Sequence, residues 1–144
     1  MPGFLLLILS YLVGSIPVAY FVARGAKGID IRRYGSGSVG ASNVRQFLGL
    51  KGFIFVLALD MAKGAFGVLI SQILDLPVTE RVLVGLATVA GHNWPIFLRF
   101  QGGRGVAPIA GAISILGPKA SLVTIPFTLL LIGASRNGPI SVAI

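Results

Sequence analysis

Long apolar runs parted by short polar loops set the pattern of this chain. Apolar stretches cover about residues 4–23, 53–74, 82–100, 106–116 and 120–134. Most approach the roughly 20 residues that an α-helix needs to cross a bilayer, although the fourth is short for a full crossing. Gly14 and Pro17 in the first run, Pro95 in the third and Pro126 in the fifth are tolerated in membrane helices, and Pro95 bends the third run or ends its regular part. Gly117-Pro118 separates the fourth run from the fifth. The pattern predicts an all-α fold, a polytopic transmembrane helix bundle of about five spans, with a partial sixth entered at the end of the 144 residues. No internal repeat or low-complexity tract is visible, and residues 1–144 read as a single integral-membrane domain.

The first run has no basic stretch before it, and Tyr20-Phe21-Val22 makes a poor cleavage site after Ala19. It is therefore expected to be a retained span. The segment 24–51 reads as a polar connector, with Arg24, Lys27, Arg32, Arg33, Arg45 and Lys51 against Asp30. Its basic excess predicts that it is cytoplasmic, with the N-terminus outside. Two crossings later the chain returns to the same side at Gly102. The turn holding Asp75, Pro77 and Glu80 falls on the outer face.

Composition agrees with this pattern. The chain is 55% hydrophobic and 11% charged, with a mean hydropathy of +0.92, where soluble domains carry about 25% charged residues. Twelve Lys and Arg against four acids give a net charge of +8. In a soluble protein that would suggest nucleic acid. Here the bases lie mostly in loops, where they orient the chain and meet anionic lipid or substrate, so no nucleic-acid partner is expected. There are no cysteines and one histidine, so neither thiolate chemistry nor a metal site is expected.

Two glycine-rich loops carry the candidate chemistry. The first runs from Gly35 through Ser36, Gly37, Ser38, Val39, Gly40, Ala41, Ser42, Asn43 and Val44 to Arg45, and the second is Gly102-Gly103-Arg104-Gly105. Such loops bare backbone N–H groups and hold cations, which suits phosphate. Gly35-x-Gly37-x-x-Gly40 has the spacing of a dinucleotide fingerprint but lacks the preceding strand that the fingerprint requires. Ser36, Ser38, Ser42 and Asn43 add donors, and Arg45 can grip two phosphate oxygens. Arg104 precedes the fourth span, whose first N–H groups would face the same anion. The alternative for both loops is a solvated connector with topology-setting or snorkelling bases.

His92 lies late in the third span beside Trp94, where it orients a substrate oxygen or a loop, or is an interface-level histidine near a belt tryptophan. It has no obvious acidic partner in the sequence. Asp60 and Lys63, three apart in the second span, share a helix face and are expected to pair, either as a helix lock or in support of binding. Gly64, Gly67, Gly85, Gly91 and Gly111 are expected to permit close helix packing.

Taken together, these motifs resemble the bacterial acyl-phosphate:glycerol-3-phosphate acyltransferases, the PlsY family. The first loop is similar to that family's Gly-Ser-Gly-Asn-x-Gly-Ala-Thr-Asn-x-x-Arg, with Ser38 for Asn, Ser42 for Thr and Arg45 one place nearer Asn43. Residues 91–107 resemble Gly-His-x-x-Pro-x-Phe-x-x-Phe-x-Gly-Gly-Lys-Gly-Val-Ala, with Arg104 for Lys. Asp60, Lys63 and Gly64 follow an Asp-x-x-Lys-Gly. The resemblance implies transfer of an acyl group from acyl phosphate to the 1-hydroxyl of glycerol 3-phosphate, giving lysophosphatidic acid for phospholipid synthesis. It implies no cofactor and no metal. Partners would be glycerol 3-phosphate, acyl phosphate and membrane lipid, at the bacterial inner membrane with both loops cytoplasmic. It makes His92 and Arg104 the catalytic candidates. Ser36, Gly37, Ser38, Asn43, Arg45, Gly102, Gly103 and Arg104 would form the phosphate sites, with Gly37, Asn43 and Gly103 shaping the pockets, His92 orienting them, and Asp60 and Lys63 behind. The family's third motif, near its C-terminus, has no counterpart in these 144 residues. The alternatives are therefore a truncated fragment or a catalytically impaired, phosphate- or lipid-binding paralogue. A small anion transporter would show duplicated halves, which are not found.

Overall fold

A computed structural model describes residues 2–134. Every regular element among them is helical: α1 (Pro2–Gly14), α2 (Val18–Lys27), α3 (Ala41–Ile73), α4 (Val78–Asn93), α5 (Val106–Leu116) and α6 (Pro118–Ala134). Single 3-10 turns occupy Ile31–Arg33 and Ile96–Leu98. The partial sixth span falls outside the described residues.

The first apolar run is split into α1 and α2. Pro17 has no N–H to continue the helix, and Val18 N–H turns to Ile16 C=O at 3.0 Å instead of reaching Gly14. The continuous stretch Gly3–Lys27 has a mean hydropathy of 2.2 over its most apolar window, and α3 reaches 2.0. Both are long and apolar enough to cross a bilayer.

Two boundaries differ from the sequence expectation. The polar connector is shorter than 24–51, because α2 runs on to Lys27 and α3 begins at Ala41. The polar first turns of α3 belong to the helix, which kinks at Gly49 (φ 66°) before its apolar part. The third span ends at Asn93, where Pro95 stops it, and the chain continues through the 3-10 turn. The break at Gly117-Pro118 and the extent of α5 are as expected.

The helices meet through small residues. α3 packs most extensively on α5, and α1 on α4. A Cβ on Gly64 would strike the backbone of Pro108, and one on Gly111 the backbone of Met61, so α3 and α5 touch main chain to main chain. Gly91 meets the Tyr11 and Ser15 backbone in the same way, and Gly14 meets that of Thr88. This is the close approach that helix association in lipid relies on. Large apolar side chains point outward: Phe4 is 72% exposed and Leu122 76%, with Phe55, Phe66, Leu69 and Leu86 also exposed. The interior, by contrast, holds Ser10, Ser15, Asp60, Lys63, Ser71, Thr88 and His92. An apolar exterior around a partly polar interior is the arrangement suited to hydrocarbon surroundings.

Candidate functional site

The first glycine loop is built around Asn43. Gly35 (φ 58°) and Gly37 (φ 70°) supply the left-handed backbone of the turn. Asn43, in the first turn of α3, is almost fully buried and reaches back into the loop. Its Nδ2 donates to the carbonyls of Tyr34 (3.0 Å), Ser38 (3.1 Å) and Ile31 (3.2 Å), and its Oδ1 accepts from Ser36 N–H at 3.2 Å. Asn43 thus spends its amide on the loop's own backbone and sets its shape. Ser36 stands exposed, with Oγ accepting from Ser38 N–H at 3.5 Å. Arg45 leaves α3 with its guanidinium 5.6 Å from the centre of the Phe53 ring.

The second loop is folded against the end of α4. Gly103 N–H donates to His92 C=O at 3.0 Å. A Cβ at Gly103 would collide with His92 Nε2 and Val39 C=O, and one at Gly102 with the His92 and Asn93 carbonyls, so both positions need glycine on steric grounds. The two loops touch: Val39 N–H donates to Gly102 C=O at 3.3 Å. The sequence expectation that they share one face of the molecule is therefore met by direct contact. Gly105 (φ 76°) caps α5, leaving Arg104 exposed at its start.

Behind this junction lies a buried polar cluster. Lys63 Nζ is 3.0 Å from Asp60 Oδ1, which is the expected pair. Lys63 also donates to Gly14 C=O and Ile16 C=O, each at 3.0 Å, at the break between α1 and α2. His92 Nδ1 stands 3.6 Å from the same Asp60 oxygen. His92 thus has an acidic neighbour after all, which the sequence concealed because 32 positions separate the two. Its ring is buried, with Nδ1 toward Asp60 and Nε2 against Gly103. A crevice bounded by Ser15, Val39, Asp60, Lys63 and His92 links the cluster to the loops.

A further feature escaped the sequence. Arg32 chelates Asp30 through Nε to Oδ1 (3.0 Å) and Nη2 to Oδ2 (2.7 Å), stacks over Tyr20, and donates through Nη1 to Leu98 C=O at 3.4 Å. The side-chain hydrogen bond from Arg32 holds the Asp30 carboxyl down at about 2, below its ordinary 3.8, against the opposing effect of partial burial. The bond to Leu98 joins the two 3-10 turns and frames a groove that also carries Arg33 and Arg99. These groups come from two distant segments. The only sequence hint was the density of bases after the first span.

The match to known proteins is extensive. A model of the glycerol-3-phosphate acyltransferase family matches residues 4–143. Glycerol-3-phosphate acyltransferase 4 of Dehalococcoides mccartyi (strain CBDB1) is 49% identical over 125 residues, 86% of this chain and 54% of that protein. Glycerol-3-phosphate acyltransferase 2 of Moorella thermoacetica (strain ATCC 39073 / JCM 9320) is 50% identical over 116 residues, 81% of this chain and 59% of that protein. The chain spans about half the length of the curated relatives it matches. Among solved structures, the fold is similar to the glycerol 3-phosphate form of PlsY (YgiH), an integral membrane glycerol 3-phosphate acyltransferase. The TM-score is 0.79 at 30% identity, over 93% of this chain and 86% of that one. The lysophosphatidic acid form of the same protein gives 0.76 at 29% identity. Together with the apolar helices, these likenesses identify a helical membrane protein.

Proposed function

The chain belongs to the glycerol-3-phosphate acyltransferase family, and on that premise we propose that it transfers the acyl group of an acyl phosphate to the 1-hydroxyl of glycerol 3-phosphate. The products are lysophosphatidic acid and inorganic phosphate. The observation that carries this reading is the Val39–Gly102 backbone bond, which brings two glycine-built, cation-bearing loops into contact.

Two phosphates must lie close together in such a reaction, one of them on a lipid-soluble tail. Ser36, Ser38 and Arg45 on the first loop, and Arg104 on the second, would provide donors and positive charge for them, with Ser36 and Arg104 exposed, while Gly102 and Gly103 let the backbone approach closely. Arg104 stands at the start of α5, where the helix N-terminus adds to the attraction for an anion. Gly37 and Asn43 fix the shape of the first loop. His92 holds the second loop by its carbonyl and by the fit of its ring against Gly103, and Asp60 and Lys63 support His92 from behind. The hydroxyl oxygen forms the new ester bond to the acyl carbon as the acyl–phosphate C–O bond breaks. The departing phosphate takes the hydroxyl proton. Because the acyl phosphate is already activated, positioning and charge stabilisation carry the catalysis. The basic loop after the first span favours a cytoplasmic site at the bacterial inner membrane, with the N-terminus outside.

The test is turnover by the purified chain in lipid, given glycerol 3-phosphate and acyl phosphate. Lysophosphatidic acid is the expected product. Arg45→Ala and Arg104→Ala are each expected to lower turnover by about a hundredfold or more. Near-normal rates in both would overturn the site assignment. Retained binding without product would identify a phosphate- or lipid-binding relative instead.

A further inference from the structure

The groove framed by Arg32 holds positive charge that the reaction described above does not use. Its volume is about 540 Å³. Within it the Asp30–Arg32 pair is internally neutral. Arg33 and Arg99 line the same groove and, among the described residues, make no salt bridge and no side-chain hydrogen bond. The lining therefore keeps a formal surplus of two positive charges. Arg99 is set there by backbone in the left-handed region (φ 53°), followed directly by Phe100 at φ 64°. Side-chain-bearing residues rarely take that conformation, and it collects at ligand clamps. Phe21 and Phe97, each 60% exposed, form an apolar lip to the groove.

We propose that this groove binds a single-tailed lipid phosphomonoester, with the phosphate between Arg33 and Arg99 and the start of the tail on Phe21 and Phe97. The charge selects the ligand. A phosphomonoester carries about −1.5 to −2 near neutral pH, which matches the surplus, whereas the single charge of a phosphodiester leaves one arginine unmatched. Guanidinium groups suit phosphate oxygens geometrically, and the aromatic lip suits a tail that leaves the headgroup region for hydrocarbon. Pro17 borders both this groove and the crevice beneath His92, so the bound lipid lies next to the glycine loops without occupying them. That such a lipid is the product of the reaction rests on the acyltransferase reading; its binding does not.

Native mass spectrometry of the whole chain in detergent tests the assignment, with lysophosphatidic acid and phosphatidylglycerol as probes and saturating glycerol 3-phosphate to fill the loop site. Arg33→Gln/Arg99→Gln is expected to weaken lysophosphatidic acid binding about thirtyfold, roughly fivefold for each arginine. Arg33→Lys/Arg99→Lys should keep most of the affinity, and unchanged melting temperatures would show that both variants fold. Phosphatidylglycerol should bind more weakly and respond little to either pair of changes. Unchanged lysophosphatidic acid binding in the Gln variant would overturn the proposal, as would equal losses for both lipids. Loss of glycerol 3-phosphate binding in the same variant would overturn the separateness of the two sites. Arginine-dependent lipid binding by a wild-type chain that makes no product would leave this site standing and sink the acyltransferase reading.

Discussion

Two ion pairs, made from the same kinds of group, sit in opposite surroundings. Asp60–Lys63 is buried among helices, with side chains 2% and 8% exposed. Asp30–Arg32 lies at the loop end, with side chains 17% and 26% exposed. The loop pair has the better geometry, a two-pronged guanidinium–carboxylate contact that ordinarily marks a strong interaction. Water and counter-ions nevertheless screen a pair in such a position, and its net worth is small. The buried pair has one contact between its charges, but neither partner can be removed without stranding the other away from water. Lys63 also serves two carbonyls at the break between α1 and α2. What a pair is worth depends less on its own geometry than on what is left behind when it is broken.

The comparison can be tested from its strong end downward. Lys63→Met should cost about 3–5 kcal/mol of stability, read as a large fall in the thermal midpoint in detergent or lipid. Lys63→Met/Asp60→Leu discriminates the reason. Substantial recovery in the double variant would mean that the stranded carboxylate dominates, and none would mean that the uncapped Gly14 and Ile16 carbonyls do. Asn43→Ala removes a buried but neutral strut and should fall between the extremes, at about 1–3 kcal/mol, with turnover lost as the first loop loses its shape. Asp30→Asn should cost about 1 kcal/mol or less at neutral pH. The Asp30 carboxyl titrates lower in the folded chain than its ordinary value, so its contribution is complete above about pH 4 and disappears as pH falls through about 2. Melting curves of wild type and Asp30→Asn should therefore converge on acidification below pH 2. A gap that persists there would remove the ion pair as its source.

Much of this was legible in the sequence where neighbours in space are neighbours on one element. The apolar runs gave the helices, and three-residue spacing gave the Asp60–Lys63 pair. Small residues in Gly64, Gly91 and Gly111 foretold backbone contact between helices. Parity of the crossings put both glycine loops on one side. The features that stayed hidden need two distant segments. His92 meets Asp60 only once α4 lies on α3, and Lys63 finds its carbonyl partners only where Pro17 has broken another helix. Asn43 read both as a donor to phosphate and, through the family resemblance, as a shaper of the pocket; its commitment to the carbonyls of Ile31, Tyr34 and Ser38 depends on how the chain folds back. The early start of α3 was masked because its first turns are polar, and hydropathy marks apolar runs rather than helices as such.

The carbonyl of Gly14 carries a consequence for biogenesis. Its natural donor, Val18 N–H, is turned elsewhere, and its replacement lies 49 positions further along the chain. When the amino-terminal segment leaves the ribosome it therefore faces the lipid with a bare acceptor, and it settles fully only once the lysine-bearing segment follows it through the insertion machinery.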